Sequence, residues 1–493
     1  MKVPCLASKI ATWPVPLWVL AAALSARAIV AQTNPGSTPL GGRSTLMGGT
    51  GVALGRDGTS PFLNPATMGR IGDTRLAFSV RFYRYTKSTV DSLIRIPTGG
   101  TELHVEDYEQ EGVAGAPSSF CAFFTLSGLI PEEASGLLRV VRGTSGRTKL
   151  GLCGASLERE ALGISAEHRH LLTSQGITVA NLDYDRAWSR SVFGPSISYQ
   201  ISDTLTVGAS MHVVSTAAHD RYGLAVLPEA SGDASQPAVF LDETRASSRD
   251  GVTTLGVTYG WRTLTAGFSM RLPSIHFTDS ARMTHFEQTG VSAPTLRAGS
   301  GSLQAPLPVV LALGTGVDGP ESSLEFDVST ILGGLVAFET DLHERSYSGD
   351  ALAARTRDVR SAARGRSRVA FRAGGEWALS RSLSVLGGAR YEPSSVTPSE
   401  DAHGLAPADT SVLGTSIGIG SYGRGSELLV GGELSYGWAR FGMTEPSLEG
   451  SGRTIAHQRF WSALLVLSGS VGLSSVKQTW QNLKELREPG SVP

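Results

Sequence analysis

Nine ionisable side chains fall on one face of segments that alternate apolar and polar residues: Arg81, His212, Arg271, Glu325, Asp327, Arg372, Glu376, Arg390 and Glu433. Guanidinium groups on such a face can hold a carboxylate head group through paired charge-assisted hydrogen bonds, which makes Arg271, Arg372 and Arg390 the candidate ligand-binding cations. The same residues can equally form cross-strand ion pairs that hold a wall together. Between the alternating segments lie apolar residues, Leu224, Val226, Leu227, Val239 and Phe240, suited to lining a capture site for a hydrophobic solute or to packing the loop that carries them. A hydrolase would need a Ser–His pair with an orienting acid or amide. His168, His170, His212, His219 and His285 are available, but no segment carries a nucleophile motif. No Cys/His spacing suggests a metal site, and nothing calls for a cofactor.

The elements that must position these residues are long strands. From about residue 189, segments of ten to thirteen residues arrive in pairs, with two to four residues inside a pair and about twenty to thirty-five between pairs. In Thr204–Thr216, Leu205, Val207, Ala209, Met211 and Val213 share one face, and Thr206, Gly208, Ser210 and His212 the other. The period of two sends one face to lipid and the other to a lumen. A segment of about ten tilted residues matches the hydrocarbon thickness, whereas strands of soluble proteins are shorter. A closed sheet gives every backbone N–H and C=O a partner in lipid.

These features predict an all-β fold: a transmembrane antiparallel β-barrel of about 14 strands over residues 74–473. The strands are expected at 74–84, 118–126, 148–157, 190–201, 204–216, 251–262, 263–275, 306–317, 321–331, 367–379, 382–392, 411–421, 426–438 and 457–471. Tight turns are expected at Ser202-Asp203, Arg262-Thr263, Asp318-Gly319-Pro320, Ser380-Arg381 and Tyr422 to Gly425. Long outward loops are expected at 217–250, 276–305, 332–366, 393–410 and 439–456. Residues 127–147 form a turn that is too long for its place, and 158–189 leaves room for additional strands. Aromatic residues near strand ends (Phe82, Tyr83, Tyr85, Tyr199, Tyr259, Trp261, Tyr436, Trp438) suit the headgroup level.

Composition agrees with this class. The 493 residues are 41% hydrophobic and 18% charged, with 59 glycines, which fits a polar but mostly uncharged lumen. A formal net charge of −1 gives no reason to expect nucleic acid as a partner. Residues 1–31 read as a signal peptide: Lys2 and Lys9, then the short apolar run Pro16 to Ala26, with Ala28 or Ala31 before the cleavage point. Sec-dependent export, no spanning helix and period-two strands point to a Gram-negative outer membrane, with membrane lipid, lipopolysaccharide and the barrel-assembly machinery as partners; a secreted all-β protein is the alternative. The arginine-rich stretch 355–368 is a candidate contact for lipopolysaccharide phosphates or a solvated loop. Cys121 and Cys153 remain after cleavage, on neighbouring strands and one face, as a disulfide or as two buried thiols. At 474–493, Val476, Trp480, Leu483 and Leu486 recur at helical spacing and suggest a short periplasmic tail helix.

Residues 32–73 precede the first strand. Gly48, Gly49 and Gly51 allow close approach and positive φ, Pro65 sets a turn after Asn64, and Leu46, Met47, Phe62 and Leu63 want burial. The run Arg43 to Leu54 (RSTLMGGTGVAL) followed by Phe62-Leu63-Asn64-Pro65-Ala66 resembles the N-terminal segment of the FadL/TodX family of outer-membrane transporters of long-chain fatty acids and aromatic hydrocarbons. Pro195 to Asp203 leading into Leu205 to Ala209, Leu264 to Pro273, Pro306-Leu307-Pro308 and Gly374 to Tyr391 are similar to family hairpins, so the resemblance spans about residues 40 to 440. It implies a plug inside the lumen, built on Leu46, Met47, Gly48, Gly49, Gly51, Asn64, Pro65 and Ala66. It also implies passive uptake of hydrophobic small molecules. A barrel of this type serving as a secretion-associated scaffold or shuttle is the alternative, and ligand binding inside the barrel distinguishes the two. The chain departs from the pattern in its tail, which follows the last strand where many members end on an aromatic residue.

Overall fold

The computed structural model describes residues 40–472 apart from 73, 98–102, 127–145, 174–175, 229–236, 291–292, 334–335, 349–350, 398–407, 424 and 448–449. The expected signal peptide and tail helix lie outside these residues, as does most of the long turn at 127–147.

One antiparallel sheet holds eighteen strand segments. In chain order they are β1 (Arg75–Pro97), β2 (Leu103–Thr125), β3 (Thr148–Thr173), β4 (Gly176–Gln200), β5 (Leu205–Pro228), β6 (Ala238–Trp261), β7 (Leu264–Arg271), β8 (Ile275–Thr289) and β9 (Thr295–Gln304). There follow β10 (Val310–Asp318), β11 (Ser322–Ile331), β12 (Val336–Ser348), β13 (Ala351–Arg364), β14 (Arg368–Ala378), β15 (Leu383–Glu392), β16 (Asp409–Gly423), β17 (Ser426–Ser447) and β18 (Gly450–Gly472). Pairing reduces these to fourteen staves. β7 and β8 both pair with β6, so they are two halves of one stave. The same holds for β9 with β10, β11 with β12, and β13 with β14. β18 then pairs with β1 from Arg75↔Gly472 to Asp91↔His457, which closes a 14-strand barrel. An even number of staves puts both ends of the barrel domain at one mouth, here called the near end.

Two of these four interruptions, in the staves of β7–β8 and β9–β10, have a chemical cause. Pro273 separates β7 from β8, and Pro306 and Pro308 lie between β9 and β10. Proline has no N–H to give a ladder. Side chains take over the freed groups: Arg271 Nε donates to the Pro308 carbonyl at 3.3 Å, Arg190 to that of Ala305 at 2.9 Å, and Ser274 Oγ accepts from Leu307 N at 3.0 Å.

Each predicted strand corresponds to the near-end part of one stave, and four of the five tight turns stand where expected, with Arg262 at φ 57° in its turn; at the fifth, β16 runs on through Tyr422 and Gly423. The expected outward loops at 217–250, 276–305, 332–366 and 439–456 are corrected: they are mostly strand, because the staves run on well past the hydrocarbon belt. Residues 158–189 continue β3 and β4 and add no stave. Of the expected loop after β15, residues 398–407 lie outside the described residues, and Val396 forms a bridge with Gly365.

The outer surface of the near half is apolar, with Phe78, Phe120, Phe193, Met211, Leu313, Leu324, Ile417 and Leu434 exposed. An apolar band encircling the molecule is far larger than a protein in water tolerates. On β5 the band runs for about ten residues and then gives way to Ser215, His219 and Arg221, which matches one tilted crossing of a bilayer. The inner surface over the same height is polar, with Ser210, His212, Glu325, Asp327, Arg372 and Glu433 all buried.

Candidate functional site

Residues 40–72 lie against this inner face. They form a helical turn at Arg43–Leu46, another at Ser60–Leu63 and a 3-10 turn at Pro65–Arg70. Gly48 and Gly49 at φ 68° and 87° let the chain reverse after the first turn. Pro65 opens the 3-10 turn, and Asn64 caps it by accepting from Ala66 N at 3.1 Å. The Asn64 amide also donates to the carbonyl of Val52 at 2.7 Å and to that of Val257 on β6 at 3.2 Å, so one side chain ties the segment to itself and to the wall.

The firmest anchor is a pair of carboxylates on β11. Glu325 Oε1 accepts the backbone N–H groups of Ala53 and Leu54 at 2.7 and 2.8 Å. Asp327 Oδ2 accepts those of Gly51 and Val52 at 2.9 and 3.1 Å. Four consecutive amides thus point at two buried anions. Glu376 on β14 forms a second hub, accepting from Arg43 at 3.0 Å, Arg56 at 2.7 Å, Ser384 at 2.8 Å and the Tyr422 hydroxyl. Ser416 on β16 accepts from Gly48 N and donates to the Leu46 carbonyl. Arg70 reaches Thr265 on β7 and Asp318 on β10, and Lys149 on β3 donates to the Gly72 carbonyl. Partners distributed around a closed ring put the segment inside it.

Glycines on the wall make room. A Cβ on Gly267 would stand 2.1 Å from the Val52 carbonyl oxygen, on Gly374 2.2 Å from that of Met47, on Gly388 2.2 Å from Gly48 N, and on Gly208 2.4 Å from Pro65. Neighbouring Gly387 faces the other way, with its nearest atom at 3.7 Å. Gly388→Val should therefore displace the segment and raise passage of small sugars in a liposome-swelling assay, whereas Gly387→Val should leave it near the native rate. Equal rates in the two variants would refute this seating.

The candidate cations are all engaged with the protein. Arg372 pairs with Glu392 at 2.5 Å, Arg368 meets the same carboxylate at 2.8 Å, and Arg390 pairs with Glu433 at 2.6 Å. Arg271 caps the break between β9 and β10. Of the arginine-rich stretch, Arg366 turns to Asp409 at 3.1 Å, while the side chains of Arg355, Arg360 and Arg364 lie outside the described residues, as does that of Arg81. Among the histidines, His212 stacks on Phe62 at 4.9 Å between ring centroids, and His219 sits 3.4 Å from Glu243. Cys121 and Cys153 form a disulfide between β2 and β3.

Beyond the segment, apolar tiers on the inner face alternate with polar rows, which hold Arg186 and Arg190 on β4 and Thr216 and Asp220 on β5. Val192, Val214 and Val252 form the first tier, with Leu40, Leu307, Phe62, Ala155 and Leu157 around them. Trp188, Ala218 and Ala246 form the second, with Met283, Leu303 and Leu342. The third holds Leu182, Tyr184, Tyr222, Leu224 and Phe240, and it meets Phe441, Ala456 and Val90 from the opposite side of the barrel. Arg186 on β4 crosses the lumen to lie 5.0 Å above the Phe441 ring on β17. Successive tiers are four residues apart on β5, about 13 Å along the strand. Leu224 and Phe240, both sequence candidates, meet in the third tier. The side chain of Val226 lies outside the described residues.

The sequence reading missed an unpaired seam. β2 and β3 pair for only seven residues, from Thr125↔Lys149 to Ser119↔Ala155. Farther out, in the described pairing, β2 follows β1 as far as Leu103 and β3 follows β4 as far as Thr173. Pro117, just past the last rung, was the available signal, since proline within a strand marks an edge or a bulge. Residues Gly112 to Thr125 along this edge carry no charge.

No protein-family model matches the sequence, and no curated protein does. Solved structures share the fold. A FadL homologue of Pseudomonas aeruginosa matches with a TM-score of 0.56 at 13% identity over 88% of this chain and 98% of its own. The Ralstonia pickettii toluene transporter TbuX gives 0.53 at 15% over 88% and 98%. The Pseudomonas putida toluene transporter TodX gives 0.56 at 15% over 90% and 100%.

Proposed function

We propose that this chain, which has the fold of the FadL-type outer-membrane barrels, lies in a Gram-negative outer membrane and admits small hydrophobic molecules by passive diffusion, with residues 32–73 as its plug. The observation that carries the reading is the series of apolar tiers on the inner face of the far half, even though buried polar rows with Arg186, Arg190 and Asp220 lie between them. Porins for polar solutes keep a water-filled polar lumen. Here three apolar tiers descend from the outer mouth to the top of the N-terminal segment. The near end, with its short turns, faces the periplasm. A solute captured by Tyr184, Tyr222, Leu224 and Phe240 descends past Trp188 to the first tier, which includes Ala155 and Leu157 on β3.

That tier adjoins the last rung between β2 and β3, so the unpaired seam supplies a sideways exit into the outer part of the bilayer while the plug keeps the aqueous path shut. Arg372 and Arg390 pair with wall carboxylates and Arg271 with a wall carbonyl, which supports apolar burial as the main source of affinity, about 25 cal/mol per Å². Long-chain fatty acids and monoaromatic hydrocarbons both satisfy this. Proteoliposomes should take up a fluorescent long-chain fatty acid or toluene faster than protein-free vesicles, and Phe240→Asp should lower uptake about tenfold or more by placing a charge among apolar rings. Uptake equal to that of empty vesicles would defeat the transport reading.

A further inference from the structure

We infer that the Cys121–Cys153 disulfide is a bolt that fixes where the β2–β3 seam ends, and so sets the length of the opening in the wall. The inference rests on the transport reading for its purpose but not for its geometry. The two cysteines face each other in the ladder as partners, two residues from the terminal pair Ser119↔Ala155. Both are buried on the inner side of the barrel, and the Cys121 sulfur lies 3.1 Å from the Gly58 carbonyl oxygen of the N-terminal segment. The bond therefore stands where the wall, the opening and the segment meet.

Its position matters because this ladder is short. β3 and β4 pair from Thr148↔Tyr199 to Thr173↔Gly176 with two register shifts, and β17 and β18 from Ser426↔Val471 to Ser447↔Gly450. Seven rungs hold β2 to β3, and one side of that ladder ends on an unpaired gap. Strand ends fray by local opening, which a gap promotes and a covalent cross-link stops. Without the bond, opening that begins at Ser119 would run toward Thr125 and lengthen the slot toward the periplasm. It would also withdraw the wall from Gly58. With the bond, opening stops at Cys121. The periplasm, where the near end lies, is an oxidising compartment that keeps such a bond formed.

Hydrogen–deuterium exchange on the barrel in nanodiscs tests this. In Cys121→Ala/Cys153→Ala, those amides of 119–125 and 149–155 that bond across the β2–β3 ladder should exchange at least tenfold faster than in the native protein, while those of β17 and β18 stay unchanged. If that variant does not fold, native protein reduced after insertion replaces it. Dithiothreitol closes to its own disulfide as each cysteine gains one electron and one proton. In the alanine background, Ser119→Cys/Ala155→Cys moves the bond to the next facing pair. It should restore protection and slow hydrophobic-probe uptake at least threefold by shortening the slot. Unchanged exchange at 119–125, or equal acceleration throughout the barrel, would overturn the proposal. If no form takes up the probe, the transport reading fails and the exchange data still decide the bolt.

Discussion

Replacing Glu325 and Asp327 together by alanine should open the barrel to polar solutes, with single-channel conductance rising at least about fivefold over the native protein. The reason is the number of donors that depend on two side chains. Gly51, Val52, Ala53 and Leu54 all give their N–H groups to these carboxylates, and all four residues are buried. A buried donor left without an acceptor costs about 1–3 kcal/mol. Four of them cost at least about 4 kcal/mol, which shifts a docking equilibrium by roughly three powers of ten. Water can relieve that cost only by entering between segment and wall, and water there is the beginning of a pore. The conservative pair Glu325→Gln/Asp327→Asn keeps an acceptor oxygen at each site and loses only the charge, so its conductance should lie between the two. Planar-bilayer recording distinguishes the three forms. Native conductance in the double-alanine variant would mean that Glu376, Ser416 and Asn64 hold the segment without the β11 clamp.

That clamp also shows how far the sequence alone could be read. The inward aim of Glu325 and Asp327 follows from alternation on β11, where Leu324, Phe326 and Val328 take the other face. Their targets lie 271 to 276 residues away in the chain, and no local pattern reports such a pairing. The near half of each stave was legible because lipid outside and polar lumen inside impose strict alternation. Past the bilayer the environment changes on both faces. Water lies outside and the apolar tiers lie inside, so the pattern inverts. On β5 the apolar positions move from Val207, Ala209, Met211 and Val213, which point out, to Val214, Ala218, Tyr222 and Leu224, which point in. The change of phase leaves an apolar doublet, Val213-Val214, matched by Val192-Phe193 on β4. An inverted phase interrupts the alternation and imitates the end of a strand, which is why the far halves read as loops. Leu224 and Phe240 were found by hydrophobicity alone, without the phase that explains them. The seam is a relation between two strands, and only Pro117 hinted at it.

The buried arginines yield a test of whether they serve the wall or a ligand. Glu392 lies between Arg368 and Arg372, accepting from the first at 2.8 Å and from the second at 2.6 Å, and it is fully buried. Removing one cation leaves the carboxylate its other partner. Removing the carboxylate leaves two buried guanidinium groups beside each other with their shared anion gone. Breaking a buried ion pair from one side costs about 3–5 kcal/mol, and here a single substitution breaks two. Glu392→Gln should therefore lower the temperature at which the barrel unfolds, followed by heat-modifiable gel migration, more than Arg372→Gln does. Breaking the solvent-screened surface pair of Arg459 with Asp91 should give almost no change. The order carries the meaning. If the arginines are held for the wall, the loss of stability is largest for Glu392→Gln, smaller for Arg372→Gln and smallest for Arg459→Gln, and fatty-acid affinity of the folded Arg372 variant stays near native. If Arg372 instead binds a ligand carboxylate, Arg372→Gln should lose affinity for a fatty acid but not for toluene, which has no charge to be held.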